Sequence, residues 1–93
     1  MTKVQQENFE YIKTALAEQN PQAVLFDGYE TALVGYVERT GSSAVACYDY
    51  EKCIAILMKR DKMSREEAME YFEFNSAGGY YGNGTPSFLY TKF

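Results

Sequence analysis

Histidine and tryptophan are both missing from this 93-residue chain. Without histidine there can be no His-based catalytic triad, no His-ligated zinc or haem, and no imidazole to carry protons near neutral pH. Cysteine is scarce. Cys47 and Cys53 stand in a C-x5-C spacing that matches neither a C-x-x-C redox pair nor a zinc pair. Each lies in an apolar stretch, so both are expected as buried, reduced thiols. No apolar run approaches the roughly 18 residues of a membrane span. The first residues, Met1-Thr2-Lys3-Val4-Gln5-Gln6-Glu7, lack the pattern of a signal peptide. The expected location is therefore the cytoplasm. No metal, no cofactor and no membrane partner is expected.

Positive charge is also short, and unevenly so. Nine Lys and Arg face thirteen Asp and Glu, for a net charge of −4. Residues 1–65 are almost balanced. Residues 66–91 hold Glu66, Glu67, Glu70 and Glu73 and no base at all. A protein that embraces a nucleic-acid backbone needs a basic face, so nucleic-acid binding is disfavoured. The G-x-x-G match at Gly79-Tyr80-Tyr81-Gly82 is read accordingly as a turn, because the helix before it is acidic and no base follows until Lys92.

What is present is the material of one small domain, residues 1–93. Hydrophobic residues make up 46% of the chain and charged ones 24%, as in ordinary globular proteins. Thr2 and Gln5 form a capping box ahead of a helix that carries Phe9, Ile12 and Leu16 at helical spacing and stops at Asn20-Pro21. Ala23 to Phe26 is a strand or a packing segment, closed by the turn pair Asp27-Gly28. Thr31–Val37 and Ala44–Tyr48 read as the two strands of an antiparallel hairpin. Asp49 caps a helix over Tyr50–Arg60 with Cys53, Ile54, Leu57 and Met58 on one face. Ser64 and Glu67 form a second capping box, opening a helix to about Asn75 with Ala68, Met69 and Phe72 inward. A Gly-rich loop over 78–84 leads to a short edge strand, Pro86–Tyr90. The expected fold is α+β, a small, mainly antiparallel three-stranded sheet packed against about three helices.

No catalytic constellation emerges. Neither cysteine has an activating base, and Ser64 is explained as a cap. The chain is expected not to be an enzyme. Two features of its last third remain. Glu66, Glu70 and Glu73 share one helix face with no Lys to offset them, although like charges at this spacing repel. Eight of the fifteen aromatic residues lie within residues 71–93. A Gly-rich loop hides Tyr80 and Tyr81 poorly, and tyrosine suits recognition surfaces. The expected contact residues are therefore Glu66, Glu70, Glu73, Tyr80 and Tyr81.

The stretch from Cys53-Ile54 through Ile56-Leu57, Asp61, Met63-Ser64, Glu66-Glu67-Ala68 and Glu70-Tyr71-Phe72-Glu73-Phe74-Asn75 continues through Gly78, Tyr80, Gly82, Thr85-Pro86 and Phe88. This pattern resembles a family of small proteins of phages and bacterial genomes, over roughly residues 24–90. The chain departs from the family's pattern at Lys62, where the family has Gly, and at Gly79, where the family has Ala. The resemblance implies a small cytoplasmic protein of phage type, in the host cytoplasm if phage-encoded. It carries over no activity and no site residues. The expected function is a non-catalytic accessory protein that binds a host protein, for example as an inhibitor of a bacterial defence system or another host enzyme. A homo-oligomer is the other partner class left open. The alternative function is a small-ligand protein that binds or sequesters a nucleotide-like molecule beneath the Tyr- and Gly-rich loop, against which the shortage of cations weighs.

Overall fold

The computed structural model describes residues 1–77, 79 and 82–91, with the backbone alone at Ser76 and Ala77. Its elements are helix α1 (Lys3–Gln19), strand β1 (Leu33–Arg39), strand β2 (Ser42–Asp49), helix α2 (Tyr50–Arg60), helix α3 (Arg65–Phe72) and strand β3 (Ser87–Leu89). A π-helical turn, Glu73–Ala77, prolongs α3, and short 3-10 turns form at Glu30–Ala32 and Gly82–Gly84. The architecture is the expected small α+β fold, three helices and a three-stranded sheet in the order β1-β2-β3.

The helix starts lie where local side-chain chemistry puts them. Thr2 and Ser64 each accept from the N3 backbone N–H while the N3 side chain reaches back to the cap's own N–H, and Asp49 caps α2 by accepting from the Lys52 N–H at 3.0 Å. Each cap satisfies N–H groups that the first helical turn cannot bond internally. Between α2 and α3 the chain turns at Lys62, which takes a φ of +53°.

β1 and β2 form the antiparallel hairpin, joined by a tight turn in which Gly41 supplies the positive φ. β3 pairs with the other edge of β2 and runs parallel to it, so the sheet is mixed. A parallel neighbour requires a crossover, and α2 and α3 provide it. β1 begins two residues later than its β-rich composition suggests because Glu30–Ala32 winds into a 3-10 turn. Ala23–Phe26 is a packing segment and no strand. Its backbone bonds scatter, the Val24 N–H to the Gly84 carbonyl and the Phe26 N–H to the Tyr48 hydroxyl, so no ladder forms.

The core lies between the sheet and the helices. Ala44, Ala46 and Tyr48 of β2 meet Leu16 of α1, Cys53, Ile54 and Leu57 of α2, and Ala68 and Phe72 of α3. Cys53 is buried, and burial pushes its thiol up to about 12. Cys47 departs from the expectation. It is a free thiol but only half-buried, on the sheet face opposite Ala46 and Tyr48. A ladder of rings runs through the core. Phe26 stacks on Tyr48 and Phe88, and Phe72 meets Phe88, Tyr29 and Tyr50 edge-on at 5.2–5.7 Å. The last ring lies outside, where Tyr90 stacks on Tyr50 at 4.3 Å.

Candidate functional site

Helix α3 is oriented by its two buried residues. Ala68 and Phe72 are one helical turn apart and fully covered, which turns the opposite face to solvent. Glu66, Glu70 and Glu73 all lie on that exposed side. The fourth acid, Glu67, serves the cap. Its carboxylate accepts from the Ser64 N–H at 2.9 Å and is held below the usual carboxylate range by its bonds with the Ser64 backbone and hydroxyl. The bases nearby are also engaged. Arg65 makes a two-pronged ion pair with Glu51 at 2.8 and 2.9 Å, and Arg60 pairs with Asp61. Among the described residues, Glu66, Glu70 and Glu73 have no ion-pair partner. Among the described residues, therefore, nothing neutralises this row of negative charge.

The row is flanked by exposed rings. Phe74, in the π-helical turn, is 87% exposed. Asn75 stabilises the same turn through a bond from its Nδ2 to the Tyr71 carbonyl at 2.9 Å. Tyr71 is 41% exposed, and Tyr90, 63% exposed, stands at the end of β3. The phenols of Tyr50 and Tyr90 are raised above their ordinary value, first by burial and then by the charge of Glu73, which lies near both. Glu73 thus ties the acidic row to the Tyr50–Tyr90 stack, and through Phe72 to the core.

Of the five contact residues expected from the sequence, the structure brings Glu66, Glu70 and Glu73 together. Tyr80 and Tyr81 lie outside the described residues. Phe74 and Tyr90 belong to the same surface but were not singled out by the sequence pattern. The signal for Phe74 exists, because at about 100° per residue it falls next to Glu70 on a helical wheel. For Tyr90 there is no local signal, since only the parallel pairing of β3 brings it to α3.

The Gly-rich stretch has a structural role where it is described. Gly84 is buried with its carbonyl on the Val24 N–H at 3.0 Å, and Thr85 closes the turn by donating from Oγ1 to the Gly82 carbonyl at 2.7 Å. The small-ligand alternative has one polar recess beside it, about 220 Å³, lined by Arg39, Gly41, Ser42, Ser43 and Asn83. Arg39 is its lone cation and already reaches the Ser43 carbonyl at 3.5 Å. Among the described residues, no group of three or more Cys, Asp or Glu side chains is placed to hold a metal ion, and no helix is long and apolar enough to cross a membrane. No family model, no curated protein and no solved structure matches the chain. The surface is accordingly read from its own chemistry.

Proposed function

We propose that this is a non-catalytic binding protein of phage type, which acts by engaging a host protein through the outer face of α3. The observation that carries the reading is the row Glu66, Glu70 and Glu73, without an ion-pair partner among the described residues, beside a phenylalanine that is 87% exposed. Exposed apolar patches rimmed by polar groups mark interaction sites, and Phe74 stands with the exposed rings of Tyr71 and Tyr90 beside the acidic row. The partner chemistry follows. It is a basic protein surface with an apolar recess that receives Phe74, and Tyr71 and Tyr90 form the rim. Tyr80 and Tyr81 remain in the contact set. Inhibition of a bacterial defence system or of another host enzyme is the form such an accessory protein takes, and the phage assignment rests on the resemblance of residues 24–90.

The test is affinity capture from bacterial lysate with the natural chain, with a Glu66→Lys/Glu70→Lys/Glu73→Lys variant, and with Phe74→Ala. The expected result is a protein retained by the natural chain, released at high salt and lost from both variants. Equal capture by all three chains, or capture by none, overturns the reading. Native mass spectrometry of the chain recovered from lysate tests the small-ligand alternative, which requires a bound molecule of defined mass.

A further inference from the structure

The chain carries a complement to its own acidic face. On the outward side of α2, Lys52, Ala55, Ile56 and Lys59, with Gln5 of α1 and Thr31 of the 3-10 turn, line a shallow and largely apolar groove of about 290 Å³. Past Lys52 the groove opens into a larger recess of about 420 Å³, where Glu30 provides the acid at the far end. Lys52 and Lys59 make no ion pair among the described residues. They are seven residues apart on α2, about 10.5 Å along its axis, and Glu66 and Glu73 are also seven apart. One row is positive over an apolar floor. The other is negative with an exposed ring at its end.

We propose that the α2 groove receives the α3 face of a second copy of this chain. Lys52 and Lys59 then meet the Glu66–Glu73 row, and Phe74 enters the apolar floor beside Ala55 and Ile56. Among the described residues neither row finds an ion-pair partner within the molecule, and a second copy offers each row the opposite charge at matching spacing. The contact joins two different patches and is therefore heterologous. It propagates head to tail into a ring or an open chain. This inference rests on the reading of the α3 face as a contact surface, and it makes self-assembly a competitor of host-protein binding.

Sedimentation velocity over a concentration series tests it, with circular dichroism to confirm folding. At low salt the average mass of the natural chain should rise with concentration, and at about 0.5 M salt, where charges are screened within a few ångströms, it should return to the monomer. Lys52→Glu/Lys59→Glu and Glu66→Lys/Glu70→Lys/Glu73→Lys should each lose at least tenfold in association constant. An equimolar mixture of the two should assemble again, because each retains the half that the other needs. Lys13→Glu/Lys62→Glu, which makes the same charge change away from the groove, should assemble as the natural chain does. A natural chain that stays monomeric at low salt, a mixture that does not assemble, or loss of assembly in the Lys13/Lys62 variant overturns the proposal. The host-protein reading fails separately. Lys52→Glu/Lys59→Glu keeps the α3 face and should still capture the host protein, whatever happens to self-assembly.

Discussion

The Tyr48 hydroxyl accepts a hydrogen bond from the Phe26 backbone N–H at 2.8 Å, and the two rings stack 5.6 Å apart. The pair fastens the irregular segment 23–26 to the middle strand of the sheet. Burial pushes the Tyr48 phenol up to about 12 from an ordinary 10, and the Cys53 thiol up to about 12 from 9. Both groups are raised in the folded state, so their contribution to stability is complete below pH 9 and is lost as the pH rises toward 12. Above pH 9 unfolding releases the protons that burial holds on these groups. Urea midpoints measured from pH 7 to 11 should therefore fall on the alkaline side. Tyr48→Phe should lose about 1 kcal/mol at pH 7, because the Phe26 N–H loses its acceptor, and should then show a shallower alkaline decline. An equal decline in both chains would assign the alkaline loss to groups other than Tyr48.

Gly84 approaches the 22–24 segment too closely for any side chain. A Cβ there would fall on the Gln22 carbonyl oxygen and within 3.2 Å of the Ala23 Cα. Backbone atoms cannot swing aside as a side-chain tip can. Gly84→Ala should therefore cost about 1–3 kcal/mol by overpacking and break the Val24–Gly84 bond. Hydrogen exchange at the Val24 amide would check this, and unchanged protection would show that the segment relaxes without loss.

Lys62 occupies left-handed backbone, with φ +53°, at the turn between α2 and α3. A side chain with a Cβ pays roughly 1–2 kcal/mol there, and glycine avoids most of that cost at some expense in chain entropy. Lys62→Gly should stabilise the domain by about 0.5–1 kcal/mol, a rise in Tm of a few degrees for a chain this size. A fall in Tm would mean that the lysine side chain contributes more than its backbone strain costs.

The local features were the legible ones. Thr2, Asp49 and Ser64 declare the three helix starts because a cap is a chemical event within four residues. Phe72 reads as core from its spacing to Ala68, and Glu66, Glu70 and Glu73 read as a solvated row by the same arithmetic. What escaped depends on distant chain. The direction of β3 is decided by how far α2 and α3 carry the chain, which no property of Ser87–Leu89 encodes. Ala23–Phe26 has the composition of a strand but loses its ladder to Gly84 and Tyr48. Cys47 looks like Cys53 in sequence, yet the outer sheet face leaves one half-covered and the inner helix face buries the other. Tyr90 joins the acidic surface only through its stack on Tyr50.

The two phenylalanines of α3 and its extension separate surface from core. Phe72 is fully buried against the rings of Tyr29, Tyr50 and Phe88, so Phe72→Ala should cost about 3–5 kcal/mol and unfold much of a domain of ordinary stability. Phe74 is 87% exposed, so Phe74→Ala should change the urea midpoint by no more than about 0.5 kcal/mol. In binding the order reverses. Loss of an aromatic anchor at an interface costs roughly 2 kcal/mol or more, about thirtyfold in Kd, so Phe74→Ala should be a well-folded protein that does not hold its partner. Reversal of Glu66, Glu70 and Glu73 should act mainly on the association rate and fade as salt is added, because rim charges steer the encounter more than they hold the complex. Stopped-flow and surface-binding measurements on these variants distinguish the two effects. If Phe74→Ala destabilises the fold as Phe72→Ala does, the ring belongs to the core and the α3 surface loses its anchor. If the charge-reversed chain associates at the natural rate at low salt, the acidic row has no part in recognition.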